Sequence, residues 1–228
     1  MILLSIIYLV LLSCIKKNET ASMMEPVSDT LHTYLALGDS YTIGEAVADS
    51  KRFPAQTVKL LANKNIQCKT SDIIAANGWA TTDLLNALAL KSIKNNYSIV
   101  SLLIGVNNQY QHKPIDQYKK EFTGLLHKAI AYTGYNSRVM VLSIPDYSVM
   151  PFAAKMDTAR IAKEIDAFNA ANKEISLNAG VQYIDITPIS REAKNNPALI
   201  ARDGLHPSAY QYLLWSQLLT DKIIDVLQ

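Results

Sequence analysis

From Thr30 onward the chain alternates short apolar runs with longer segments whose apolar residues recur every three or four positions. Few folds accept that alternation. The apolar runs occupy residues 31–37, 71–76, 98–104, 138–144 and 181–186. Between them lie segments of helical period at 52–65, around Leu84, Leu85 and Leu88 with Thr81 or Thr82 as the cap, and at 114–132. A fourth carries Ile161, Ile165, Phe168, Asn172 and Ile175 and stops before Gly180, and a fifth closes the chain at 207–227. Strands separated by helices pair in parallel, because parallel connections need long crossovers and helices supply them. The expected fold is α/β: a three-layer α/β/α sandwich around a five-stranded parallel sheet, in one domain over residues 30–228. Such sheets bind ligands outside the carboxyl ends of their strands. Chemistry is therefore expected just after Leu37, Ala76, Ile104 and Ile186.

Composition narrows the choice of partner. Of 228 residues 49% are hydrophobic and 18% charged, which excludes a disordered or fibrous chain. The 22 Lys and Arg against 20 Asp and Glu leave a net charge of +2, so no nucleic-acid partner is expected. Two cysteines, Cys14 and Cys68, make no disulfide framework, and the four histidines have no metal-ligand spacing. Neither a metal nor an organic cofactor is expected. Residues 1–15 form a nearly unbroken apolar run, too short to cross a membrane comfortably but suited to the core of a secretory signal. It ends Leu11-Leu12-Ser13-Cys14, which resembles the lipobox of bacterial lipoproteins. That resemblance implies a signal peptide over 1–13, acylation of Cys14, and a polar tether over 14–29. The domain would then be anchored at a membrane surface of the bacterial cell envelope, in the periplasm or at the outer membrane, or else be secreted. No basic residue precedes Lys16, a departure from the usual signal.

Four polar blocks fall at or beyond the expected strand ends: Gly38-Asp39-Ser40-Tyr41-Thr42, Asn77-Gly78, Gly105-Val106-Asn107-Asn108 and Asp203-Gly204-Leu205-His206-Pro207. Singly, each has a plain structural meaning: a helix cap, a turn, a loop, a helix entry. In these residues, and in their order along the chain, the sequence resembles the SGNH hydrolases, also called GDSL esterases and lipases. The resemblance implies a flavodoxin-like hydrolase fold, Ser40 as nucleophile, His206 and Asp203 as base and acid, and no cofactor. One position departs: the third block usually reads Gly-x-Asn-Asp, and residue 108 is Asn. Asn107, expected to touch substrate, is kept.

The same roles follow from chemistry. A serine hydroxyl needs an adjacent base, and His206 is the histidine placed in a turn on the strand-end side. Asp203, three residues earlier, can fix the imidazole tautomer. An oxyanion needs donors placed in advance, and the N–H groups of Ser40 and Gly78 with the side-chain amide of Asn107 supply them from three strand ends. Gly78 suits that role because a side chain there is expected to crowd the acyl carbonyl. Tyr110, Tyr147, Met150 and Phe152 are candidates for the substrate pocket. The expected activity is hydrolysis of a small carboxylic ester (an acylated sugar, a lysophospholipid, or an aryl or alkyl ester). The alternative is a silent, membrane-tethered carbohydrate- or lipid-binding relative, motivated by Asn108 alone.

Overall fold

The computed structural model describes residues 30–227, so the expected signal peptide, tether and acylated Cys14 lie outside the described residues. Five strands, β1 (Tyr34–Gly38), β2 (Asp72–Ala75), β3 (Ile99–Leu103), β4 (Val139–Leu142) and β5 (Gln182–Ile184), pair in parallel in the order β2-β1-β3-β4-β5. The central strands are apolar runs buried at every residue, as a sheet covered on both faces requires. Leaving β1, the chain moves to β2 on one side, then returns past β1 to β3. That reversal opens a crevice between β1 and β3, where such sheets place their ligands. The register levels the strand ends there, since Gly38 faces Ala75 on one side and Leu103 on the other.

The helices are α1 (Ser40–Ile43), α2 (Phe53–Ala62), α3 (Thr81–Ala89), α4 (Val106–Tyr110), α5 (Ile115–Thr133), α6 (Thr158–Asn178), α7 (Thr187–Glu192) and α8 (Ala209–Leu227). Right-handed crossovers put α2 on one face and α3, α5 and α6 on the other, because the chain reverses direction after β2. The expected stripe on α5 is buried at Tyr118, Phe122, Leu125, Leu126 and Ala129. On the opposite face α8 covers α2, with Phe53, Tyr212 and Trp215 packed ring to ring at 5.2–6.5 Å between centroids. Cys68 is half-buried against the core with a free thiol, and burial pushes its pKa up to about 11.

Boundaries differ where side chains outcompete the ladder. The first run is expected from residue 31, but Leu31 is exposed and His32 makes only an isolated bridge to Cys68. At the next step Thr33 and Ser98 each accept the other's backbone N–H through a hydroxyl, at 3.0 and 3.1 Å, so regular pairing begins one residue later. Neither Thr81 nor Thr82 caps α3. The cap is Ala80, whose N–H donates to the Asp83 carboxylate at 2.9 Å, and both threonine hydroxyls donate to Glu121 instead.

Candidate active site

β1 ends in a turn that only glycine permits at its last residue. A Cβ on Gly38 would lie 2.1 Å from Thr42 Oγ1 and 2.3 Å from the Leu103 carbonyl, so the chain passes too close to β3 for any side chain. Asp39 then caps α1, its Oδ1 accepting the Tyr41 N–H at 3.0 Å. This turn sets Ser40 at the head of a one-turn helix over the crevice. Asp39 is fully buried, and burial pushes its carboxyl up to about 7.

The turn carrying Asp203 and His206 arrives from the side. It lies beyond the fifth strand and just ahead of the last helix, as the sequence leads one to expect, with α7 and a short 3-10 turn at Pro197–Leu199 between. The turn is fixed by its own bonds: Ala201 N–H to the His206 carbonyl at 2.8 Å and a bridge from Ile200 to Pro207. Asp203 divides its oxygens. Oδ1 accepts the backbone N–H groups of Leu205 and His206, each at 3.0 Å, and Oδ2 lies 2.5 Å from His206 Nδ1. Burial raises the Asp203 pKa, but those three bonds and the imidazole outweigh it and leave the carboxyl below its ordinary value. The other ring nitrogen, Nε2, lies 3.0 Å from Ser40 Oγ. Tyr41 packs edge-on against the imidazole, 5.6 Å between centroids, and Trp215 backs Tyr41 in turn.

The second and third blocks face this pair. Gly78 has φ of 75°, and a Cβ added there would meet nothing within 4 Å. Within the protein, glycine is favoured there by its left-handed backbone. Asn107 follows Gly105 on α4 and donates one amide hydrogen to the Trp79 carbonyl at 3.0 Å, while Gln111 donates to the Gly78 carbonyl at 3.2 Å. The residue after it, Asn108, is buried with both amide ends bonded to Thr81, which gives the departure from the family pattern a structural explanation.

A cleft of about 200 Å³ joins these groups. Ser40, His206, Gly78 and Asn107 line it together with Tyr110, Tyr147 and Phe152. Tyr147 is a buried floor whose hydroxyl donates to Gln109 Oε1 at 2.8 Å, while Tyr110 and Phe152 are nearly half exposed at the rim. The three rings sit 6.2–6.5 Å apart. Met150 does not belong to this cleft. The 3-10 turn at Pro151–Ala153 aims Phe152 at the cleft, whereas the Met150 side chain is buried and borders a separate groove beside Pro151 and Ala154. The lining also includes Tyr41, Asn77, Val106 and Leu205, which sequence reasoning did not select, although each adjoins a residue that it did. Chemically the arrangement offers a hydroxyl in contact with an imidazole, an imidazole held by a carboxylate, and amide donors across an apolar cleft.

No curated protein matches the chain. Solved structures do, at low identity. Axe2, an acetylxylan esterase from Geobacillus stearothermophilus, superposes with a TM-score of 0.66 at 17% identity, covering 84% of this chain and 94% of that one. TesA gives 0.65 at 16%, covering 84% and 98%. A member of the lipolytic protein G-D-S-L family from Veillonella parvula gives 0.62 at 16%, covering 86% and 97%. These likenesses establish a common fold. The model of the GDSL-like Lipase/Acylhydrolase family matches residues 36–214, most of the chain and all four blocks from Ser40 to His206, and the protein belongs to that family.

Proposed function

We propose that the protein is a serine esterase that hydrolyses carboxylic esters through an acyl-enzyme. The observation that carries this reading is the unbroken contact from Ser40 Oγ to His206 Nε2, and from His206 Nδ1 to Asp203. Ser40 Oγ attacks the ester carbonyl carbon as its proton passes to Nε2. Asp203 holds Nδ1–H and stabilises the imidazolium that forms. The oxyanion meets the N–H groups of Ser40 and Gly78 and the second amide hydrogen of Asn107, the first being held by Trp79. The C–O bond to the alcohol breaks, and Nε2 returns the proton to the leaving oxygen. Water then enters by the same path, releasing the acid and restoring Ser40. No metal or cofactor takes part in these steps.

The apolar floor and rim of the cleft suit a short acyl group or an aryl alcohol, and two of the solved structures of this fold carry esterase or lipolytic names. Asn108, whose amide bonds Thr81, supports the reading as a structural residue beside the site. We place the domain at a bacterial membrane surface through Cys14, on the lipobox resemblance alone. The test is Ser40→Ala. It should abolish turnover of p-nitrophenyl acetate and labelling by a fluorophosphonate while leaving the melting curve intact. Undiminished turnover in that variant refutes the assignment.

A further inference from the structure

A polar path, buried at Asn108 and Thr81 and half-exposed at Glu121, adjoins the segments that carry the oxyanion donors and includes no member of the triad. Asn108 is fully buried on α4, next to Asn107. Its Oδ1 accepts the Thr81 N–H at 3.1 Å, and its Nδ2 donates to Thr81 Oγ1 at 2.6 Å. That hydroxyl gives its single hydrogen to Glu121 Oε2 on α5 at 2.5 Å. The same carboxylate accepts from Thr82 Oγ1 and from Gln117 Nε2, each at 2.9 Å. The path therefore has a direction, from amide to hydroxyl to carboxylate.

The path ties together three segments that the catalytic cycle needs in register. α4 carries Asn107, the start of α3 lies three residues past Gly78, and α5 packs on β3. We propose that Asn108 and Glu121 are positioning residues which, through Thr81, set the spacing between the Gly78 and Asn107 donors; the inference rests on the esterase reading above. The direction of the path explains why residue 108 is an amide. A carboxyl there keeps the bond from the Thr81 N–H, but its second oxygen meets a hydroxyl whose hydrogen belongs to Glu121. Either the new carboxyl takes up a proton, or Thr81 turns away and Glu121 loses a donor. Of the ionisable groups around it, Glu121 shares Thr81 with it and has Lys113 near by, Asp83 lies on α3, and Glu164 on α6 accepts from Gln109 at 2.7 Å and pairs with Arg160 at 3.7 Å. Glu121 is the acid joined to it through Thr81, and its charge opposes a further negative one.

The experiment compares N108D, T81V, E121Q and N108D/E121Q with the wild type. It measures p-nitrophenyl acetate kinetics from mildly acid to mildly alkaline pH, with melting curves and fluorophosphonate labelling. A donor displaced by an ångström costs up to about 100-fold, so N108D should lower kcat by about 10–100-fold in alkali with KM little changed. Relative to wild type it should recover towards acid, as the carboxyl regains a proton. Adding E121Q lets the new carboxamide donate to Thr81 Oγ1 and the hydroxyl donate to the carboxyl, reversing the path. N108D/E121Q should therefore be faster than N108D, and E121Q alone closes the cycle. T81V removes the hydroxyl without adding charge and should lower kcat about tenfold, which keeps the test alive if N108D fails to fold. Folded N108D and T81V with wild-type kcat, or a second substitution that brings no recovery, overturn the proposal. A wild type that neither hydrolyses the ester nor reacts with the fluorophosphonate overturns the esterase reading instead.

Discussion

Two glycines allow the cost of backbone strain to be separated from the cost of a misplaced donor. Gly78 has φ of 75° and Gly134, which ends α5, has φ of 73°. At both, an added Cβ would meet nothing within 4 Å. Gly78→Ala and Gly134→Ala therefore introduce the same left-handed strain, about 1–2 kcal/mol, and no clash. Each should lower the melting temperature by a few degrees, since about 1 kcal/mol corresponds to roughly 2–4 °C in a domain of this size.

Their effects on rate should diverge. In G78A the peptide can relax by turning its N–H away from the cleft, opposed by the exposed bond from Gln111 to the Gly78 carbonyl. Such a bond is worth about 0.5–1.5 kcal/mol, so part of the free enzyme relaxes. The transition state rewards the donor with about 2.7–4 kcal/mol, more than the strain, and therefore restores it. The rate is then lowered only by the strain re-imposed, a few-fold to about 30-fold in kcat/KM, rather than by the 10²–10³ of a donor lost outright. Steady-state kinetics on a p-nitrophenyl ester beside melting curves decide the matter. A loss beyond about 10³, a wild-type rate in G78A, or an equal loss in G134A refutes the reasoning.

Two other substitutions probe the acids. In Asp203→Asn the amide oxygen must stay with the Leu205 and His206 N–H groups, which turns the NH₂ towards Nδ1. The imidazole then carries its proton on Nε2 and cannot accept one from Ser40, so kcat should fall about 10⁴-fold with the fold intact; a loss of less than tenfold contradicts the tautomer account. Asp39 is raised to about 7 by burial, against an unfolded value of about 3.9. Between those values the native state holds a proton that the unfolded chain has released, so stability should decline as pH rises through that window and level off above it. The slope is at most about 1.4 kcal/mol per pH unit, and Asp39→Asn should remove it; an unchanged slope in denaturant titrations refutes the buried-acid reading.

The fold and the site were legible to different depths, for physical reasons. Strand alternation and crossover length decide parallel pairing, and both are one-dimensional properties of the chain. Ser40, Gly78 and Asn107 follow strands whose ends the register levels, so their convergence could be anticipated. Met150 could not be placed, because loop proximity along the chain says nothing about which way a 3-10 turn aims successive side chains. The threonines that open α3 read as caps, but Asp83 reaches the cap position and frees both hydroxyls for Glu121, 39 and 40 residues away in sequence. Long-range competition of that kind leaves no local pattern.

The site divides its work between two kinds of support, and the division bears on how it can fail. The proposed oxyanion donors follow β1, β2 and β3, three adjacent strands of one sheet, so the sheet fixes where the segments that carry them begin. Asp203 and His206 instead share one turn whose bonds, the Ile200–Pro207 bridge among them, are internal, and Phe152 N–H fastens it from outside at the Gly204 carbonyl, 3.0 Å away. The acid and base therefore stay correct relative to each other even if the turn moves. The 3.0 Å contact from Nε2 to Ser40 and the edge-on packing of Tyr41 against the imidazole span the two supports. Weakening the fastening at Phe152 should lengthen the Nε2–Ser40 contact, lowering nucleophile activation while leaving the imidazole–carboxylate pair and the oxyanion donors in place.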